Sequence, residues 1–232
     1  MLNPELARLL EHPAIWRGVS AAQAEVLPTG FGELDAHLPG GGWPRSGLIE
    51  ILASRFGIGE LSLLLPALAA LTRRAMARWC AWVAPPLEPF APALAAHGML
   101  LERVLVVRVP ASSPRRGPGG RGAGGRGAGG RGAEAVRTLW AFEQALGSGA
   151  CDVALAWAEQ PRLREIRRLQ LAAERGRALG VLFRSRRAAQ ESSHAILRVQ
   201  LEAVSQGVRL TLLKSRGGLR SPIELAVQSS GS

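Results

Sequence analysis

The chain has 232 residues, 47% of them hydrophobic, with two cysteines and a formal net charge of +11. A chain of that length and apolar content can bury a large core, which excludes a disulfide scaffold and a fibrous or wholly disordered polymer. No Cys/His spacing reads as a zinc site, and the longest apolar stretch, Leu61 to Leu71, holds Ser62 and Pro66 and is too short to span a bilayer. Glu5, Arg8 and Glu11 sit in the first turns, unlike a signal peptide. The expectation is a soluble, cytoplasmic protein with no metal and no cofactor. Excess positive charge attracts polyanions. Here Lys214 is the single lysine, tyrosine is absent, and Arg, Ala, Gly and Pro abound, as in GC-rich coding. The charge alone is therefore slight evidence for nucleic acid.

In chain order, Leu6 to Glu11 is a short helical pattern within an N-terminal segment, 1–27. Pro28-Thr29-Gly30 is a turn, and Phe31 to Leu38 reads as a helix. Gly and Pro cluster from Pro39 to Pro44, so that stretch reads as a loop. Gly47 to Leu52 reads as a buried strand. Glu60 to Ala77 reads as a long apolar helix, with Leu61, Leu64, Leu65, Leu68 and Leu71 near period 3.6 and a bend at Pro66. Trp79 to Val83 is a strand, Pro89 to His97 a helix and Val104 to Val109 a strand.

The segment 111–133 is different. Its repeats RGAGG, RGAGG and RGA begin at Arg121, Arg126 and Arg131, and nothing in it can build a core. It reads as a disordered Gly/Arg insert, and its arginines can touch nucleic acid only weakly. Beyond it come a helix from Glu134 to Leu146, a strand from Asp152 to Trp157, a helix from Pro161 to about Arg177, and a strand from Val181 to Arg184. Three short strands close the chain, Ala195 to Glu202, Val208 to Lys214 and Ile223 to Val227, before the tail 229–232. Alternating strands and helices followed by a run of strands predict an α/β fold. It is a mostly parallel sheet with helices on both faces and antiparallel C-terminal edge strands. Cys80 and Cys151 fall in or beside core strands and read as buried structural thiols.

The segment PTGFGELDAHLPGGGWPRSGLIEILASRFGIGELSLLL, Pro28 to Leu65, resembles the opening of the RecA-like recombinase fold. FEQALGSGACDV, Phe142 to Val153, resembles the helix and strand before the second acidic motif of that family, and the closing strands are similar too. The resemblance spans about 28–228 and implies a RecA-like core interrupted by the insert. It also implies a phosphate loop, G-x-x-x-x-G-K-[ST], after the first core strand. There the Lys neutralises phosphate charge and the hydroxyl holds magnesium.

This chain departs from that pattern. The loop begins at Ala53 and carries Gly57, then Gly59 where the Lys belongs and Glu60 where the hydroxyl belongs. Trp157 stands where the aspartate ending the later strand belongs. Pro86 stands at the catalytic glutamate, with Glu88 as the alternative match. The resemblance with these losses implies no ATPase activity, and Glu60 is expected to repel phosphate.

The run Gly57-Ile58-Gly59-Glu60-Leu61, with the PGGGWP loop before it, resembles ImuA-type proteins of translesion DNA synthesis. That likeness implies an adaptor with RecA, ImuB and an error-prone DnaE-type polymerase as partners, and with any DNA contact indirect. The alternative branch is the SulA-like division inhibitor acting on FtsZ. Candidate contact residues are Trp43, which either anchors an interface or caps the core, and Arg186 and Arg187 in a short loop. Lys214 and Arg216, after a late strand, complete the set. Arg162, Arg164, Arg167 and Arg168 lie on a helix whose apolar face is Leu163, Ile166, Leu169 and Ala173. Arg164, Arg168 and Arg175 fall along one outer stripe, which reads as an ordinary solvated face or as a site for an acidic partner or DNA.

Overall fold

A computed structural model describes residues 25–110, 128–215 and 222–226. The expected helix at Leu6 to Glu11, Trp16, Arg216, the tail and residues 111–127 of the insert lie outside the described residues.

Strands β1 (Val26–Leu27) and β2 (Trp43–Pro44) pair antiparallel as a small separate sheet. The main sheet is built from β3 (Gly47–Ala53), β4 (Trp79–Val83), β5 (Val104–Val107), β6 (Cys151–Trp157), β7 (Leu179–Ser185), β8 (Leu197–Val204), β9 (Gly207–Lys214) and β10 (Ile223–Leu225). Its eight strands run in the order β10-β9-β8-β3-β7-β6-β4-β5. Pairings from β5 through β8 are parallel, and β8–β9 and β9–β10 are antiparallel. The predicted mostly parallel sheet with antiparallel edge strands is what forms.

β3 lies in the middle of the sheet, and all seven of its residues are buried. A strand covered on both faces reads as a continuous apolar run, and GLIEILA is one apart from Glu50. On one face, Leu34, Leu68 and Leu94 pack against Ile49, Ile51 and Val181. They come from helices α1 (Gly32–His37), α2 (Leu65–Thr72) and α3 (Ala91–Ala96). On the other face, Phe142 and Leu146 of α4 (Ala128–Gly147) and Ile166 and Leu169 of α5 (Leu163–Gly176) cover Leu48, Ala154 and Leu182.

Two helix boundaries and the burial of one helix residue differ from the sequence reading. The apolar run after β3 is helical only from Leu65, and Pro66 stands in the first turn of α2 rather than bending a longer helix. Proline lacks the N–H that a first turn leaves unused, so it starts a helix more readily than it continues one. Trp43, left open between an interface anchor and a core residue, is fully buried. The helix α4 reaches back to Ala128, taking in the end of the expected insert. Leu163, placed on the apolar face of α5, is 47% exposed.

The amino ends of the strands are tied by one carboxylate. Asp152, 2% exposed, accepts 2.7 Å from Arg45 Nη2, 3.1 Å from Arg78 Nε and 2.8 Å from the Arg78 backbone N–H. Arg78 also donates to the carbonyls of Gly149, Gly176 and Arg177. Burial acts on Asp152 most strongly and pushes its pKa up. The bonds from Arg45 and Arg78 together outweigh it and hold the carboxyl below its ordinary value of 3.8.

A depressed folded-state pKa contributes stability above the unfolded value, and that contribution is lost as pH falls through the folded value. Asp152→Asn is therefore expected to lose about 3 kcal/mol at neutral pH, the cost of leaving arginines uncompensated. Urea melts of both proteins from pH 7 downward should converge in the acid range. A gap that persists unchanged there would contradict the ion-pair account.

Candidate functional site

The loop after β3 runs from Ser54 to Glu60, at the carboxyl edge of the central strand. Ala53, the last residue of that strand, is 2% exposed. Gly57 and Gly59 have φ of +85° and +106°, a region that L side chains rarely adopt. These two turns fold the loop back so that its amides converge. The Gly57 N–H donates 2.7 Å to Glu60 Oε1, and the Ile58 N–H donates 2.9 Å to Glu60 Oε2. Glu60 is itself buried.

A Gly-rich loop offers consecutive backbone N–H groups to an anion. Here the anion is the chain's own carboxylate. The sequence reading placed Glu60 as a repellent beside an open phosphate site; the structure places it inside the nest. The following helix is also set back. Gly59 accepts from the Leu63 N–H at 3.3 Å and Leu61 from the Leu65 N–H at 3.0 Å, so turns intervene before α2 begins at Leu65. Gly59, matched to the lysine position, supplies no charge.

The other matched positions hold no acid facing this loop. Trp157 stacks on Phe183 with centroids 4.7 Å apart and planes 15° apart, and lies 6.0 Å from Trp82. Packing, rather than ligand chemistry, occupies the strand end. Pro86 is exposed, and Glu88 is spent on Arg108 at 2.5 Å in an exposed ion pair. Trp43 contributes to the core and not to a contact surface.

Arg186 and Arg187 begin a short 3-10 turn, Arg186–Gln190. Both are exposed, and Arg186 pairs with Glu202 at 3.2 Å. Lys214 Nζ donates 2.8 Å to the Ser193 carbonyl, which brings it to the same connection. Its expected companion, Arg216, lies outside the described residues. Among the described residues no group of three or more His, Cys, Asp or Glu is placed to hold a metal ion. No described helix is long and apolar enough to cross a membrane.

No family model matches the chain. A curated relative, the cell division inhibitor SulA of Edwardsiella piscicida, is 30% identical over 140 residues, 60% of this chain and 69% of that protein. The chain belongs to the SulA family. Among solved structures, SulA from Pseudomonas aeruginosa is similar at 22% identity with a TM-score of 0.42, over 59% of this chain and 97% of that one. A score that low carries no structural argument. Both proteins bear the name of the alternative branch in the sequence reading rather than of the ImuA type.

This SulA-family chain also has a buried charge network that the sequence reading missed. Glu50, fully buried in β3, accepts 3.0 Å from Arg184 Nη1 and 2.6 Å from Arg198 Nε. Arg198 donates on to the carbonyls of Ala188 and Glu191, and Arg184 donates to the Glu191 carboxylate. The network clamps the connection from β7 to β8 onto the sheet. The signal was there, because a glutamate inside GLIEILA must find partners. Which arginines answer it depends on strand order.

Both thiols are buried. Burial pushes the Cys80 pKa up to about 12, against a weaker opposing hydrogen bond from Trp82, and raises that of Cys151 as well.

Removing Glu60 orphans two amides. Glu60→Ala is expected to cost about 2 kcal/mol, and Glu60→Gln less, because its amide oxygen still accepts one of them. Chemical denaturation of the three proteins measures this. Equal stability of all three would show that the nest does not hold the carboxylate.

Proposed function

We propose that this chain is a non-catalytic cell-division inhibitor of the SulA type that acts by binding FtsZ in the cytoplasm as part of the SOS response. The observation that carries the reading is its 30% identity to a protein named as a cell division inhibitor, over 140 residues. The site geometry supports the absence of catalysis. Phosphoryl transfer depends on positioning and charge neutralisation. Here a carboxylate fills the loop, glycine replaces the cation, and a ring stack replaces the acid. We read the fold as a degenerate RecA-like core. A central strand leads into a Gly-rich loop and then a helix, parallel strands flank it, and antiparallel strands close one edge. The protein then works through its surfaces.

The second reading is the ImuA-type adaptor of translesion synthesis, contacting RecA, ImuB and a DnaE-type polymerase. It is favoured by the run Gly57 to Leu61 in place of the phosphate-loop end.

Parallel titration of the purified protein against FtsZ, RecA and ImuB at physiological salt, without nucleotide, separates the two. Saturable binding to FtsZ, with none to RecA or ImuB, is the expected outcome. Binding to RecA or ImuB alone would replace it with the adaptor reading. The same preparation should turn over no ATP with magnesium. Turnover abolished by changing Glu60 would overturn the non-catalytic assignment.

A further inference from the structure

The start of α5 and the end of the β7–β8 connection enclose an open groove of about 560 Å³ lined by Arg162, Leu163, Arg164, Arg167 and His194. We propose that this groove binds a short acidic polypeptide segment with an apolar residue among its carboxylates. It takes that occupant whichever partner protein carries the segment.

The first support is uncompensated charge. Neighbouring arginines have partners: Arg168 pairs with Glu143, and Arg186 with Glu202. Arg162, Arg164 and Arg167 are exposed, and no carboxylate lies within ion-pair distance of them among the described residues. Glu165, in the same turn, spends its carboxylate on the Arg162 backbone N–H at 2.6 Å. Cations at the start of a helix also oppose its dipole, which favours anions there. The positive potential of the groove is therefore met by nothing in the described protein.

The second support is shape and chemistry. Leu163, 47% exposed, places an apolar patch between guanidinium groups. Planar guanidinium forks pair with carboxylates through two parallel hydrogen bonds, and oppositely charged surfaces select one another at interfaces. A single-stranded nucleic acid would need aromatic faces for its bases, and the lining residues include no Phe or Trp. The connection that carries His194 is also anchored to the sheet a few residues earlier. Ala188 and Glu191 on the connection that carries His194 are held by Arg198, which is anchored on buried Glu50.

The test uses the full chain and a fluorescein-labelled peptide of about ten residues in which Asp and Glu flank leucines, followed by anisotropy at physiological salt. Saturable binding is expected. It should weaken at least about tenfold in Arg164→Glu/Arg167→Glu, which corresponds to about 1.4 kcal/mol. It should be unchanged in Arg108→Glu/Arg209→Glu, which carries the same change in net charge at exposed sites elsewhere on the protein. The arginines of the Gly/Arg segment are common to both variants, so binding to them would be equal in both. The proposal is overturned by equal loss in the two variants, or by no saturable peptide binding. It is also overturned if an oligothymidylate of similar length outcompetes the peptide and is itself released by the Arg164/Arg167 changes. All four substituted side chains are on the surface, and circular dichroism melts confirm that each variant is folded.

Discussion

Glu50 is the point on which the middle of the sheet depends. A lone carboxylate at the centre of a strand buried on both faces would be untenable, because removing its charge from water costs several kcal/mol. It is held because Arg198 lies opposite it in register on β8, and Arg184 lies two residues further along β7 beside Leu52. A slip of one residue in either strand would turn that arginine to the other face and leave Glu50 bare. The pair thus fixes the alignment of three neighbouring strands where apolar side chains alone would tolerate several. Its second effect is on the connection from β7 to β8. That segment returns across the sheet with few apolar anchors, and Arg198 replaces them with bonds to two of its carbonyls.

The amino end of the sheet uses the same device, one buried carboxylate with more than one arginine. One buried carboxylate, Asp152, gathers Arg45 and Arg78, with Arg74 at 3.9 Å. In both clusters a single guanidinium reaches several acceptors at once: Arg78 touches one carboxylate and three carbonyls. Lysine, a compact charge on a flexible stem, could not span such a set. The near-absence of lysine looks like coding bias when only the composition is considered. At Arg78, Arg184 and Arg198 the structure gives arginine a geometric reason, while at Arg164 and Arg167 it gives none internal to the chain.

The loop after β3 follows from the same economy of charge. A glycine-rich turn with converging amides is stable only if something negative fills it, since unpaired buried N–H groups are costly. In a nucleotide-binding protein that partner arrives with the ligand, and the loop orders around it. Glu60 makes the partner permanent. Those two amides are then satisfied on folding. At the end of β6, Trp157 stacks on Phe183, so ring packing fills that strand end.

How much of this was legible in the sequence depended on whether the decisive contact was local. The strands of the sheet and their parallel-then-antiparallel sense follow from apolar runs, their spacing and the intervening helices, and the strand ends were read to within two residues. Trp43 was not. Its neighbours are glycine and proline, so the segment reads as a loop, but the pairing Leu27↔Trp43 turns the indole inward. Pro66 was misplaced because periodicity cannot tell a helix from the turns that lead into it. Glu60 is the instructive case. It was read as a carboxylate repelling phosphate in front of the loop, whereas its side chain turns back onto the loop's own amides. A carboxylate at the last position of a folded-back loop is closer to the amides behind it than to any ligand in front, and only the φ values of Gly57 and Gly59 bring those amides within reach. Sequence supplied the glycines and the charge, and the backbone geometry decided which of the two, ligand or carboxylate, the nest would hold.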